Sequence, residues 1–407
     1  MSVFVIIGKN FGDEGKGLAT DYFASLSEEQ GKSCLVIRHN GGAQAGHTVD
    51  LTDKRFVFHQ LSSGSFRNAD TYWSKSFLPD LYKLCEEVDG FFEINGKVPF
   101  IYAHPMCRCV CIDDVLVNMA LESSRGNSRH GSCGMGINEA VERSSIENAC
   151  IYLHQIGNMS AQALYNELAR IRREYLPLRL KALGLTLSQM GEYGELLANR
   201  NVLLNAAEQM RRAAESVMLK DETIAYDYGD IVFEGAQGLL LDEDYLPFAP
   251  HLTSSKTGLD NPMRFIGEHL PNSTFEVVYV TRSYVTRHGA GPLPHEELWN
   301  LQNVFVVDNT NLNNPWQGSL RFAPHGTQDE FFASLRGDIE KYRLKDNVSC
   351  MITHLNETDG AMCGISGKAS IEQWFCGANM PKLRSLYLSD SPYSQDICRV
   401  KPSKKTY

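Results

Sequence analysis

Apolar, β-branched residues gather in short runs along this chain, and most of these runs stop at glycine or at a polar cluster. The first sets the pattern. Val3 to Ile7 (VFVII) predicts a buried strand. The run breaks at Gly8, crosses a loop holding Gly12, Gly15 and Gly17, and from about Lys16 turns helical, with Leu18, Ala19, Tyr22 and Phe23 on one face. SCLVIR (33–38) is a second strand that runs into the Gly- and Ala-rich loop HNGGAQAGHTVD. Val57 to Leu61 predicts another strand, followed by the turn SSGSF, and residues 77–89 predict a helix. VPFIYAHPMCRCVCIDD predicts one or two strands, with Cys107, Cys109 and Cys111 on one strand face.

Beyond these lies a second glycine loop, GSCGMG, that enters a short helix carrying Glu139, Glu142 and Arg143. Apolar stripes with charged opposite faces then mark a long helical stretch. It reads as an insertion of about residues 152–225 with no chemistry of its own. The β pattern resumes at Ile231-Val232-Phe233 and ends in Glu234, Gly235 and Gln237; the hydroxyl-rich loop HLTSSKTG follows. FEVVYV leads into a further glycine loop beside Arg287. Strands at NVFVV and SCMITHL, a helix near DEFFASLRGDIEKY, and a last strand at LRSLYL before a Ser-Pro loop complete the pattern. Repeated strand-to-glycine-loop junctions predict an α/β fold: one large domain over 1–407, P-loop-NTPase-like, with a mainly parallel central sheet and a helical insertion.

The chemistry suggested by the first loop is phosphate binding. A strand, a glycine loop and a helix start point backbone N–H groups at an anion, and Lys16 adds a point charge. The spacing is not that of the ordinary P-loop, because Asn10 stands where its first glycine belongs and Gly17 where Ser or Thr would hold magnesium. What a phosphate cradle does not need is acid, and here there are two, Asp13 and Glu14. A carboxylate beside phosphates is repulsive unless it holds a metal ion or moves a proton, so Asp13 is the most informative residue in the chain. Gln44 and His47 end the second loop, where a ligand could approach the backbone closely. Ser132 and the amides of its loop could cradle a second phosphate, and Thr253 and Ser254 could donate to phosphate or base.

Composition narrows the class. The 407 residues are 43% hydrophobic and 22% charged, which is globular. With 39 basic against 49 acidic residues the net charge is −10, which argues against a nucleic-acid-binding surface. No apolar run approaches the roughly 18 residues of a membrane span, and the N-terminus reads as a strand rather than a signal peptide. The eleven cysteines are scattered and lack zinc-knuckle spacing, so they read as reduced thiols of a cytoplasmic protein. The basic tail KPSKKTY reads as frayed.

Taken together, these junctions resemble the adenylosuccinate synthetase family, purine-pathway ligases that join aspartate to IMP at the expense of GTP. The carriers are GDEGKG (12–17), RHNGGAQAGHTV (38–49), GSCGMG (131–136), FEGAQGLLLD (233–242), LTSSKTG (252–258) and TRHGAGPLPHE (286–296), with THLNETDG and LSDSP more faintly. The resemblance implies that Asp13 takes the N1 proton of the purine while His47 stabilises charge on the transferring phosphoryl, and that Gln237 steers the base. It implies magnesium (Mg2+) on the Asp13 carboxylate and the Gly46 carbonyl, and nucleotide phosphates on Gly12, Glu14, Gly15, Lys16 and Gly17. Gln44, Ser132, Cys133, Arg143 and Thr253 fall where IMP is bound, Arg143 reaching into a neighbouring subunit of a homodimer. His354, Asn356 and Ser389 fall at the nucleotide base, and Arg321 at the L-aspartate.

Three positions depart from the family pattern. Asn356 stands where an aspartate reads guanine, which leaves ATP open beside GTP. Arg321 stands alone where several arginines grip the amino acid. Gln44 replaces a shorter amide, which leaves open a 2-amino purine such as (d)GMP. A non-catalytic nucleotide-binding homologue is the remaining alternative.

Overall fold

A computed structural model describes residues 1–126, 129, 131–306, 318–376 and 380–401. Its centre is a ten-stranded sheet. In chain order the strands are β1 (Ser2–Gly8), β2 (Cys34–Arg38), β3 (Asp70–Trp73), β4 (Ile101–Ala103), β5 (Val217–Leu219), β6 (Asp230–Gly238), β7 (Thr274–Arg282), β8 (Val348–Thr353), β9 (Leu386–Leu388) and β10 (Cys398–Val400). They lie side by side as β10-β9-β8-β7-β1-β6-β2-β3-β4-β5, and every pair is parallel except β9–β10.

β1 sits near the middle and is buried on both faces, as its continuous apolar run requires. Val3, Val5 and Ile7 pack on one face with Phe265, Phe331 and Leu335, while Ile6 packs on the other with Leu18 and Phe23. The register aligns the carboxyl ends. Gly8 is level with Gly238 and Val280, Arg38 with Glu234, and Thr353 with Arg282. The loops that leave β1, β2, β6, β7 and β8 therefore gather at one edge, where open α/β sheets bind ligands.

The helix after the first loop, α1, spans Lys16–Glu29. The long helical stretch is observed as Ala161–Leu183, Glu192–Ala198 and Arg200–Ala214, and it ends by adding β5 to the sheet edge beside β4. It shares a core with the sheet: Leu164, Leu168, Leu203 and Met210 pack in one cluster with Trp73, Phe77 and Leu81. No helix among the described residues is long and apolar enough to cross a membrane.

Several local expectations change. Residues 303–306 of NVFVV form no strand; Phe305 is 86% exposed while Val304 and Val306 are half-buried, and Val307 lies outside the described residues. The strand expected at Val57–Leu61 is Arg55–Phe58, paired antiparallel with His47–Asp50. The helix expected from residue 77 starts at Leu81, where the Asp80 carboxylate caps the amides of Tyr82 and Lys83. Cys107, Cys109 and Cys111 are all buried as alternation suggests, but their segment is extended with a single bridge, Arg108 to Tyr152, and is no strand. The tail 402–407 lies outside the described residues.

Arg143 is engaged within its own chain. Its side chain is 1% exposed and turned inward, with Nε and Nη2 on the Asp114 carboxylate at 2.8–3.2 Å and further bonds to the carbonyls of Ala149 and Cys109 at 2.7 Å. In this arrangement it joins two helices of its own chain, Ile112–Arg125 and Ile137–Ser144. Removing one partner of such a pair leaves the other charge buried and alone. Asp114→Ala is therefore expected to lower unfolding stability by about 3–5 kcal/mol, measured by urea denaturation; a loss below about 1 kcal/mol would show that the pair does not hold these helices together.

Candidate functional site

The first loop is held open from behind. Arg282 Nε donates to the Asp13 carbonyl at 2.6 Å, Thr286 Oγ1 to that of Gly12 at 3.1 Å, and Thr353 Oγ1 to that of Glu14 at 2.9 Å. In a planar trans peptide the N–H lies opposite the carbonyl oxygen, so the amides of Asp13, Glu14 and Gly15 face the other way, into the mouth of the site. Gly12, Asp13 and Gly15 have φ of 103°, 54° and 91°, the left-handed turns that build an anion-binding concavity. Gly8 has to be bare, because a Cβ there would lie 2.4 Å from the Gln237 carbonyl and 2.5 Å from Glu14 Oε2.

The two acids of this loop part company. Glu14 is 1% exposed and lies under the loop, accepting the Asn10 amide at 2.7 Å. Burial raises its pKa to about 7, against the pull of Lys16 and Lys9. What Glu14 can offer a phosphate is its backbone amide. Asp13 is half-buried at the mouth, and its charge opposes the fall that burial imposes on the Lys16 pKa. The loop thus keeps one acid partly exposed and one buried.

Opposite the loop stands His47, packed so closely on α1 that a Cβ on Gly17 would lie 3.0 Å from its own. His47 Nδ1 is 2.6 Å from Glu234 Oε1. Glu234 is fully buried in the middle of β6, level with the last residue of β2, where it also accepts the Ser63 amide at 3.2 Å and the Ser63 hydroxyl, with the Arg38 guanidinium 3.8 Å away. Burial would push this carboxyl up, yet Arg38 and His47 hold it down at about 2. Burial lowers the His47 pKa to about 4 despite Glu234. The pair is an ionised carboxylate beside a neutral imidazole.

The next loops supply two amides with nothing to bind. Asn40 grips Ala236 twice, Nδ2 to its carbonyl at 3.0 Å and Oδ1 from its amide at 2.8 Å. This brings the loop after β2 against the last residues of β6. On one side Gln44 has both amide atoms buried without a hydrogen-bond partner, and on the other so does Gln237 Oε1, at a left-handed φ of 62°. Buried polar groups left unsatisfied are costly. Two amides with unpartnered atoms, one on each side of the Asn40–Ala236 contact, are groups that a flat polar ring could satisfy.

The remaining expected residues fall around this cleft with different standing. Ser132 Oγ donates to Asn118 Oδ1 at 2.9 Å, and the amides of Gly131 and Ser132 meet the buried Glu122 carboxylate at 3.2 and 3.3 Å, so an internal anion occupies part of that loop. Cys133 is a neutral thiol, its pKa pushed up to about 11 by burial. Thr253 is half-buried in a loop that closes on Gly41 through Ser255 Oγ at 3.2 Å. His354, at φ 58°, touches Thr353 Oγ1 through Nδ1 at 2.9 Å, and the Leu355 amide donates to the Ser389 carbonyl at 3.1 Å. Asn356 is exposed beside them. The three expected base-site residues are thus brought together, and Thr353 ties them to the phosphate loop.

Arg321 does not stand ready for a carboxylate. Both its faces are engaged, Nε with Glu296 at 2.8 Å and Nη1 with the Gly291 and Gly289 carbonyls at 2.8 and 3.1 Å. It staples its own loop, and residues 307–317, where other amino-acid contacts were sought, lie outside the described residues. Sequence reasoning left Asn10, Arg38, Asn40, Ser63, Arg282 and Thr353 without roles, and Glu234 with no more than a place in a polar cluster. The available signal was their position at strand ends. Among the described residues no three His, Cys, Asp or Glu side chains converge to hold a metal by themselves.

The family model described as adenylosuccinate synthetase matches residues 5–309. An adenylosuccinate synthetase of Clostridium botulinum (strain Alaska E43 / Type E3) is 30% identical over 303 residues, 73% of this chain and 66% of that one. One of Thermosipho africanus is 28% identical over 306 residues, again 66% of its length. The matches thus span just under two thirds of these relatives. In fold, the chain is similar to fully ligated adenylosuccinate synthetase from Plasmodium falciparum, with a TM-score of 0.64 and 16% identity over 98% of this chain and 100% of that one. It is also similar to cyanophage S-2L succinoaminodeoxyadenylate synthetase bound to dGMP and dATP, with a TM-score of 0.56 and 13% identity over 98% of this chain and 95% of that one. The loop motifs, the parallel sheet and the match over residues 5–309 agree: the chain belongs to the adenylosuccinate synthetase family.

Proposed function

We propose that this protein is a magnesium-dependent ligase that forms a C–N bond at C6 of a purine nucleotide, with IMP, L-aspartate and a nucleoside triphosphate as substrates. The observation that carries the reading is Asp13: a carboxylate at the mouth of a concavity of inward-facing amides, beside Lys16. Asp13 accepts the N1 proton of the hypoxanthine ring, so that the 6-oxygen gains anionic character and attacks the γ-phosphoryl group. His47 lies against the same loop and meets the charge that develops on the transferring group. The amine of aspartate then displaces the 6-phosphoryl, which leaves far more readily than an amide oxygen. Gln237 and Gln44 flank the ring and orient it.

The residues fit magnesium. A single half-buried carboxylate, with the carbonyl of exposed Gly46, is the sparse protein contribution this ion accepts when phosphates supply other ligands. Bound there, it would neutralise phosphate charge. Arg143 and Arg321 are left out of the substrate contacts because their guanidinium groups are already engaged. The family's homodimer therefore needs support other than Arg143, and the amino-acid contacts other than Arg321.

Asn356 favours a second reading within the same chemistry. An amide at the base site offers a donor pair and one acceptor, whereas guanine presents two donors that a carboxylate accepts. ATP as the phosphoryl donor, with IMP or (d)GMP as the acceptor, follows.

Asp13→Asn is expected to abolish phosphate release in the presence of IMP and L-aspartate while nucleotide binding by calorimetry survives; turnover at the wild-type rate would remove Asp13 as the base. His47→Ala should slow the same reaction by ~10² to 10³, and a loss below about tenfold would reduce His47 to a structural part. Asn356→Asp should move the GTP/ATP preference toward GTP, and an unchanged ratio means this position does not read the base. Binding of all substrates without phosphate release by the wild-type chain would favour a non-catalytic homologue.

A further inference from the structure

Three consecutive residues at the end of β7 bridge the phosphate loop and the turn that carries Asn356. Arg282 closes the strand with Nε on the Asp13 carbonyl at 2.6 Å. Ser283 donates its hydroxyl to the His354 carbonyl at 3.1 Å and its amide to the Thr353 carbonyl at 2.9 Å. Tyr284 is buried; its phenol oxygen accepts from Arg282 Nη1 at 3.0 Å and donates to the Glu357 carboxylate. Glu357 ends the short turn Leu355–Glu357, next to Asn356. We infer that Tyr284 is a positioning residue for the phosphate loop: through Glu357 and Arg282 it ties the placement of Asp13 to the base-site turn. This role deepens the proposed function and rests on it for the nucleotide that would span the two elements.

A phenol oxygen placed between a guanidinium and a carboxylate accepts from one and donates to the other. Both bonds involve a charged group, which makes them stronger than neutral ones, and in a buried chain each bond polarises the next. The Tyr284 ring is held from three sides, with the ring centres of Trp299, Phe322 and His354 at 5.1, 6.0 and 6.2 Å. Arg282 is 5% exposed, and its own carbonyl accepts from His325 Nε2 at 3.0 Å, which anchors its backbone. The guanidinium is thus left with one end on the phosphate loop and the other on Tyr284. Thr353 Oγ1 makes a second tie, to the Glu14 carbonyl at 2.9 Å, but it comes from the end of β8 and does not involve Glu357. A base seated on the turn therefore bears on the loop that holds its own phosphates.

Tripolyphosphate with magnesium is the probe, because it carries phosphates and no base. Glu357→Ala alters only the base-site turn, yet it should weaken tripolyphosphate binding by calorimetry about 3- to 10-fold, the worth of one hydrogen bond. Glu357→Gln keeps an acceptor for the phenol and should recover part of that loss. Tyr284→Phe should weaken binding to a similar extent. Adding Glu357→Ala to Tyr284→Phe should then change the affinity by no more than a factor of about 2, because both act through one chain. Unchanged tripolyphosphate affinity in a folded Glu357→Ala protein overturns the inference, and so do losses that multiply in the double variant. If Tyr284→Phe does not fold, Glu357→Ala and its recovery by Glu357→Gln decide. A wild-type chain that binds no tripolyphosphate also overturns it, while phosphate release with IMP, L-aspartate and a nucleoside triphosphate would still uphold the proposed reaction. Tripolyphosphate binding that follows this pattern without any phosphate release would keep the tie and remove the reaction.

Discussion

Three carbonyl oxygens in a row, those of Gly12, Asp13 and Glu14, are tied to side chains from β7, from the segment just after it, and from β8. Everything at the site depends on that tether. Peptide planarity converts bonds on one side of the loop into donors on the other. The donors are in place before any anion arrives, so little reorganisation remains for binding to drive. The tether exists only because parallel pairing sets the ends of β1, β7 and β8 level.

The same arrangement separates two kinds of buried charge. Some charges are paired inside the fold and serve its geometry, as Arg143 with Asp114 and Arg321 with Glu296 do. Others lie close to the cleft at a cost. Burial depresses the Lys16 pKa and raises that of Glu14 to about 7, and the two offset each other beneath the phosphate loop. A fold that tolerates such charges must repay them elsewhere, and the broad apolar cluster around β1, β6, β7 and β8 is where it does so.

Much of this was legible in the chain itself, and for a physical reason. A strand buried on both faces has to be a continuous apolar run, and a loop that approaches a ligand has to be rich in glycine, so β1, β2, β6, β7 and β8 announced themselves along with the loops that follow them. β3 did not, because Asp70–Trp73 is short and mixes an acid and a threonine with its aromatics. NVFVV misled for the opposite reason: apolar residues in sequence do not guarantee a surface to cover them. The internal pairings of Arg143 and Arg321 were hidden for one reason. Arg143 meets an acid 29 residues away and Arg321 one 25 residues away, pairings that no local pattern encodes. Glu234 hid in the same way, since its partners come from the ends of β2 and from two separate loops.

The pair of hydrogen bonds between Asn40 and Ala236 joins the loop after β2 to the last residues of β6 in one wall. The orphaned amides of Gln44 and Gln237 are mounted on that wall, a short span on either side of the junction. Under the proposed function, a ring bound here would meet both amides at once, so their spacing would bear on selectivity alongside the chemistry of each.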